Sequence, residues 1–141
     1  MKAEVFLDTA YAIALSVPKD QYHTRAVHLA DRLEAARARM VTTRAVMLEI
    51  GNALSKQRYR YAAVKLLDSL EADPNVEIVP MSEQLYTRAF QLYRQRPDKE
   101  WSLTDCVSFI VMQDRGITEA LTTDEHFQQM GFRALLREGP P

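Results

Sequence analysis

The sequence predicts an α/β layer fold with a largely parallel central sheet flanked by helices. Three observations predict it. Short apolar runs of strand character alternate with segments of helical periodicity, cap and turn residues punctuate that alternation, and two aspartates directly follow predicted strands. A length of 141 residues, with 47% apolar and 26% charged residues, fits one globular domain over 1–141.

Glu4 to Leu7 reads as a strand, and after Asp8 the chain changes at once to helix formers over 10–15. Pro18-Lys19-Asp20 breaks that helix. Asp20 is then expected to cap a long helix with Tyr22, Ala26, Leu29, Ala30 and Leu33 on one face. Met40-Val41-Thr42 is a short strand, and Thr43 caps the next helix, where Val46, Ile50, Ala53 and Leu54 recur at i, i+4, i+7 and i+8. A further helix over about 61–71 ends at the turn Asp73-Pro74-Asn75, ahead of the strand Val76-Glu77-Ile78-Val79. Ser82 opens an amphipathic helix carrying Leu85, Ala89, Leu92 and Tyr93. Ser102 and Asp105 have capping-box spacing for a helix that Gly116 stops after Arg115. A strand over 120–122, a short helix over 124–130 and a last strand over 132–136 lead to the Gly139-Pro140-Pro141 tail.

Composition excludes several function classes. No stretch approaches the roughly 20 apolar residues of a membrane span, so no membrane partner is expected. Met1-Lys2-Ala3-Glu4 runs straight into a strand instead of a signal peptide, which points to a cytoplasmic protein. Cys106, the only cysteine, allows neither an intrachain disulfide nor a Cys-rich zinc site, and Val107, Phe109, Ile110 and Val111 around it indicate a buried thiol. The formal charge of −1 gives no global basic footprint for nucleic acid. Four glycines, at 51, 116, 131 and 139, form no phosphate-binding loop, and there is no G-x-S-x-G nucleophile elbow. His23, His28 and His126 make no H-E-x-x-H pattern; the first two fall on a polar helix face, and His126 lies beside Asp124.

Four acids stand where the pattern expects burial or an element end: Asp8 after Val5-Phe6-Leu7, Glu49 in the apolar stripe of its helix, Asp105 after Trp101-Ser102-Leu103-Thr104, and Asp124 after Leu121-Thr122-Thr123. A lone buried carboxylate costs several kcal/mol unless it is paired, protonated or bound to a cation. Each acid also has a structural reading. Asp8 and Asp124 can cap the helices that follow them, Thr122 with Glu125 offers a competing capping box, Asp105 can complete the box with Ser102, and Glu49 can pair with Arg44. Together, two strand ends, one helix start and one helix interior are the arrangement needed to surround a hard cation, and oxygen ligands suit magnesium or manganese. Two such ions roughly 3.5–4 Å apart activate water and stabilise the leaving oxygen of a phosphodiester.

The residues carrying this pattern resemble those of PIN-domain ribonucleases, and specifically the VapC-like toxins of type II bacterial toxin–antitoxin pairs. The resemblance covers nearly the whole chain. Trp101-Ser102-Leu103-Thr104-Asp105-Cys106-Val107-Ser108-Phe109 is similar to that family's third-acid motif and Leu121-Thr122-Thr123-Asp124-Glu125-His126-Phe127 to its fourth, with Leu7-Asp8-Thr9 and helical Glu49 completing the order. It implies a PIN-like three-layer α/β/α sandwich and an acidic metal site of Asp8, Glu49, Asp105 and Asp124, with Thr9, Thr104 and Thr123 orienting carboxylates or bound water. It further implies Mg2+- or Mn2+-dependent cleavage of RNA, a homodimer and a cognate VapB-like antitoxin.

Two basic regions flank these motifs: Arg37, Arg39, Arg44, Lys56, Arg58 and Arg60, and then Arg94, Arg96 and Lys99. Either can track an RNA backbone, with Tyr59 and Tyr61 available for stacking. Leu54, Tyr59, Tyr61, Leu66 and Leu67 offer a dimer or antitoxin surface if they are not core. The principal alternative is a non-catalytic PIN-like RNA- or protein-binding module, which has no physical need for four clustered acids. A phosphotransfer domain using Asp8 as the phosphoacceptor lacks a second aspartate two residues later.

Overall fold

The computed structural model describes residues 3–138; Met1-Lys2 and the tail at Gly139-Pro140-Pro141 lie outside the described residues. Five strands form one sheet: β1 (Glu4–Leu7), β2 (Arg39–Thr43), β3 (Val76–Val79), β4 (Glu119–Leu121) and β5 (Arg133–Ala134). Their order is β3-β2-β1-β4-β5, and every neighbouring pair is parallel. The helices among the described residues are α1 (Thr9–Ser16), α2 (His23–Ala35), α3 (Arg44–Ala53), α4 (Gln57–Ala72), α5 (Glu83–Gln95), α6 (Leu103–Arg115) and α7 (Glu125–Gln129).

Parallel pairing explains the sequence of β1. With a neighbour on each side and helices over both faces, Val5, Phe6 and Leu7 are all buried and the run shows no polar alternation. The order also fixes where a ligand belongs. From β1 the chain crosses to β2 on one side, while β4, on the other side of β1, is entered from the far edge of the sheet. Connections from adjacent strands that leave in opposite directions open a crevice beyond their carboxyl ends, and Asp8 and Asp124 follow β1 and β4. α3 contacts α1, α4 and α6, so Glu49 is carried in the helix that links the layers.

Several expectations shift in detail. Asp20 does not cap α2: its Oδ1 accepts from the Tyr22 amide at 2.8 Å in a local turn, and Tyr22 occupies the cap position without a side-chain bond. His23 is only half-exposed, its Nδ1 lying 2.8 Å from the Ala14 carbonyl, whereas His28 is exposed. α4 starts at Gln57, four residues before the expected 61, because Lys56 already has cap geometry and Tyr59 packs on the core. Ala53 is exposed although Val46, Ile50 and Leu54 are buried. The expected strand over 132–136 pairs only at Arg133–Ala134, and the chain then turns into a 3-10 helix at Leu135–Arg137 that buries Leu135 and Leu136.

The caps at Thr43 and Ser82 form as expected: their hydroxyls accept from the Val46 and Leu85 amides at 3.1 and 3.0 Å. Gly116 ends α6 with φ 65°. A Cβ there would meet nothing within 4 Å, so only the left-handed backbone opposes a side chain. Gly116→Ala is expected to lower stability by about 1 kcal/mol, read from the urea midpoint. An unchanged midpoint would show that the helix end relaxes freely.

Candidate active site

The four acids converge. Asp8, Glu49, Asp105 and Asp124 line one open cleft of about 450 Å³ together with Thr9, Thr123, His126 and Glu100. β1 delivers Asp8 at its carboxyl end, where its amide donates to the Leu121 carbonyl at 3.3 Å and ties the end of β1 to β4. Its side chain makes no capping bond to α1. Instead the Thr122 hydroxyl donates to Asp8 Oδ2 at 2.7 Å.

Asp105 satisfies the capping box and lines the cleft as well. The Ser102 amide donates to its Oδ2 at 3.1 Å, and the Ser102 hydroxyl accepts from the Asp105 amide at 2.9 Å. Trp101, buried just before the cap, packs edge-on against Phe109 with centroids 5.2 Å apart and donates from Nε1 to Gln129 at 2.8 Å. Asp124 caps α7, its Oδ1 accepting from the His126 amide at 2.9 Å; the competing box from Thr122 does not form, because that hydroxyl accepts from the Asp124 amide at 3.0 Å. Glu49 does not pair with Arg44, which bonds Glu71. Its Oε1 accepts from the Thr9 hydroxyl at 2.5 Å.

His126 links two of the acids. Its Nδ1 lies 3.1 Å from Asp105 Oδ2 and 3.2 Å from Asp124 Oδ1. These three residues offer ligand atoms all within 4.8 Å of one another, a span that suits a bound cation. In Asp105, Asp124 and Glu49 the scaffold hydrogen bonds fall on a single carboxylate oxygen, Oδ2, Oδ1 and Oε1 respectively. The other oxygen of each takes no bond from the scaffold.

Burial and like charge act on the cluster. Burial pushes the Asp8 carboxyl up to about 7; the Thr122 hydroxyl and the adjacent Thr9 backbone oppose that rise, while Asp105 and Glu49 add to it. Asp105 is also raised, first by burial, with the Ser102 amide and His126 opposing and Asp124 reinforcing. Burial likewise raises the Cys106 thiol to about 11, which makes it unreactive and agrees with the buried thiol read from its neighbours.

The PIN domain family model matches residues 5–133. The chain belongs to the PIN domain family. The 23S rRNA-specific endonuclease VapC20 of Mycobacterium tuberculosis, strains CDC 1551 and H37Rv, is 27% identical over 128 residues, covering 91% of this chain and 95% of the relative. The crystal structure of M. tuberculosis VapC20, described as a sarcin-ricin loop cleaving toxin, superposes with a TM-score of 0.79 at 26% identity, covering 91% of this PIN domain and 95% of that chain. The all-parallel sheet between helical layers agrees with the sandwich that the resemblance implied.

Sequence reasoning underweighted three residues of this PIN domain. Thr122, fully buried, binds Asp8 across the β1–β4 junction, whereas its neighbour Thr123 lines the cleft and gives its carbonyl to Arg137 at 3.1 Å. Thr104 does not line the cleft; its carbonyl accepts from the Ser108 hydroxyl at 3.1 Å. Glu100 adds a fifth acid to the lining, and His126 had only its place beside Asp124 to signal it.

The Asp8 shift has a definite sign. A carboxyl held above its ordinary value contributes stability below pH 3.8 that is lost as pH rises through about 7, on the order of 4 kcal/mol in metal-free protein. Asp8→Asn keeps an acceptor for Thr122 and removes the charge. In EDTA it is expected to melt higher than wild type at pH 8, with the difference shrinking towards pH 4, by scanning calorimetry. A mutant that melts lower at pH 8 would show that the charge is already compensated.

Proposed function

We propose that this PIN domain is a metal-dependent endoribonuclease that hydrolyses RNA phosphodiester bonds and is the toxin of a toxin–antitoxin pair. The observation that carries the reading is the divided use of the carboxylates: three acids commit one oxygen to the scaffold and keep the other for the cleft that Asp8 shares. The similarity to an endonuclease across nine-tenths of both chains supports the same chemistry. The non-catalytic alternative leaves such a cluster without a purpose.

Asp8, Glu49, Asp105 and Asp124 are assigned as metal ligands and catalytic acids, with Mg2+ as the expected ion and Mn2+ as the alternative. The residues fit a hard cation, since the donors are carboxylate oxygens and Asp8 is buried among like charges. Bound there, the ion supplies charge for a phosphate oxygen and lowers the pKa of water. The chain's own residues supply position. Thr122 holds Asp8, Thr9 holds Glu49, and the α6 capping box fixes Asp105, so each acid meets the substrate at a preset angle. Thr123, on the cleft wall, is assigned as an orienting residue for the acids or for water; Thr104, outside the cleft lining, can act only through the α6 turn that carries Asp105. In-line attack of water then leaves a 3′-hydroxyl and a 5′-phosphate without a covalent intermediate.

A cognate VapB-like antitoxin, a homodimer and a cytoplasmic location belong to the same reading. Its support lies in the likeness to a named toxin and in the exposed Leu48, Tyr61 and Val64 of α3 and α4. Leu54, by contrast, is core, and Tyr59, Leu66 and Leu67 are packed against it. No helix among the described residues is long and apolar enough to cross a membrane.

The test is cleavage of a labelled single-stranded RNA and of a sarcin-ricin-loop hairpin, with Mg2+, Mn2+ or EDTA. Wild type is expected to cut with metal only, leaving 5′-phosphate ends, and Asp105→Asn to lose roughly 100-fold or more in rate with its circular dichroism unchanged. No cutting of either RNA, together with no calorimetric Mn2+ binding, would sink the proposal.

A further inference from the structure

An acidic cleft alone cannot hold a polyanion. Asp8, Glu49, Glu100, Asp105 and Asp124 all line it, and the chain as a whole carries a formal charge of −1. Even with a cation at the acids, the nucleotides flanking the scissile phosphate need their own contacts. The loop over 96–102 between α5 and α6 supplies a place for them.

Adjoining the cleft at Glu100, which lines both, lies a second cavity of about 490 Å³, lined also by Phe90, Tyr93, Arg94, Arg96, Lys99 and Trp101. Aromatic and cationic side chains make up six of its eight lining residues, with Pro97 and Glu100 the others. Phe90 and Tyr93 stand 38% and 49% exposed with rings edge to face at 6.4 Å, and Arg94, Arg96 and Lys99 are cationic. The two kinds interleave: the Arg94 guanidinium lies 4.8 Å from the Phe90 centroid and that of Arg96 5.1 Å from the Trp101 centroid. The Arg96 fork is held by Asp98 at 3.0 Å on both arms, whereas Arg94 makes no ion pair among the described residues.

We propose that this cavity is a nucleotide subsite for the RNA strand, in which a base one or more positions from the cut stacks on the Phe90–Tyr93 rings while Arg94 and Lys99 receive its phosphate. A volume of this size admits one nucleotide, and rings interleaved with cations are how proteins track single strands without reading sequence. Asp98 fixes Arg96 over Trp101, which makes that arginine the floor of the subsite rather than its phosphate receptor. The inference rests on the ribonuclease reading for the direction of the strand and makes the loop over 96–102 the joint between strand binding and chemistry.

The experiment follows binding and turnover separately. Trp101 is the only tryptophan, so its fluorescence reports the subsite. In the Asp105→Asn background, where the strand stays intact, a 12-nucleotide RNA titrated with Mg2+ present is expected to quench Trp101. Adding Phe90→Ala with Arg94→Ala is expected to raise Kd about tenfold, through removal of a stacking ring and a cation. The slope of log Kd against log salt is expected to become shallower by about 0.7 for each phosphate that is no longer neutralised. With Asp105 intact, the same double variant is expected to raise KM for RNA with kcat within twofold of wild type. Cutting by wild type with Kd, KM and salt slope unmoved in the double variant would overturn the subsite and leave the nuclease standing. If Phe90→Ala instead converts a dimer to a monomer in sedimentation while RNA affinity holds, the surface is an interface between copies and the subsite is likewise overturned. RNA held through Arg94 and Phe90 by a protein that neither cuts nor binds metal would support the subsite and sink the nuclease reading.

Discussion

Everything at the cleft end of this PIN domain answers to one constraint, the gathering of carboxylates where β1 and β4 end side by side. Asp8 is the extreme case. It is 6% exposed, and the charges that act on it are those of Asp105 and Glu49, both of its own sign. A fold that repeats this arrangement must oppose it with neutral donors and rigid supports, and both are present. The Thr122 hydroxyl reaches Asp8, the Asp8 amide bonds Leu121, and both partners stand at the end of the neighbouring strand. The pairing that builds the sheet is thus the pairing that holds the most buried acid of the cleft.

The other acids also serve the fold and the cleft together. Asp105 is at once the third residue of a capping box and part of the cleft, and Asp124 both caps α7 and faces His126. A cap fixes a carboxylate at one oxygen, because the amide it accepts from is immobile. The remaining oxygen is then aimed without further support. In sequence terms, the structural and functional readings of these aspartates are not rivals, since the cap that fixes one oxygen also holds the carboxylate at the cleft.

Much of this was legible in the sequence, because the signals were local. The buried run of β1, the Ser102–Asp105 box, the Thr43 and Ser82 caps and the Gly116 stop each need only a few adjacent residues, and each is in place. What failed to show depended on distant partners. His23 finds the Ala14 carbonyl, Arg44 finds Glu71 instead of Glu49, and Thr122 rather than Thr123 finds Asp8 across 114 residues. β5 illustrates the other limit: Phe132 and Leu135-Leu136 read as strand residues, yet a two-residue pairing at the sheet edge is all that β4 offers before the chain folds into a 3-10 turn. Apolar character settled that these residues would be buried, not how the backbone would bury them.

His126 shows why a weak sequence signal can mark a strong structural position. Nothing about one histidine at the start of a short helix distinguishes it from a solvated one, but the cap at Asp124 turns the first residues of α7 so that the ring faces back to α6. With its proton on Nδ1, the imidazole donates between two carboxylates that otherwise repel each other. Its Nδ1 thereby bridges one oxygen of each acid. Such a donor steadies the acids, and because it engages oxygens already committed to the scaffold, it leaves the other oxygens of Asp105 and Asp124 without a scaffold bond. The geometry that makes the charge cluster tolerable to the fold is in this way the geometry that keeps it available for chemistry.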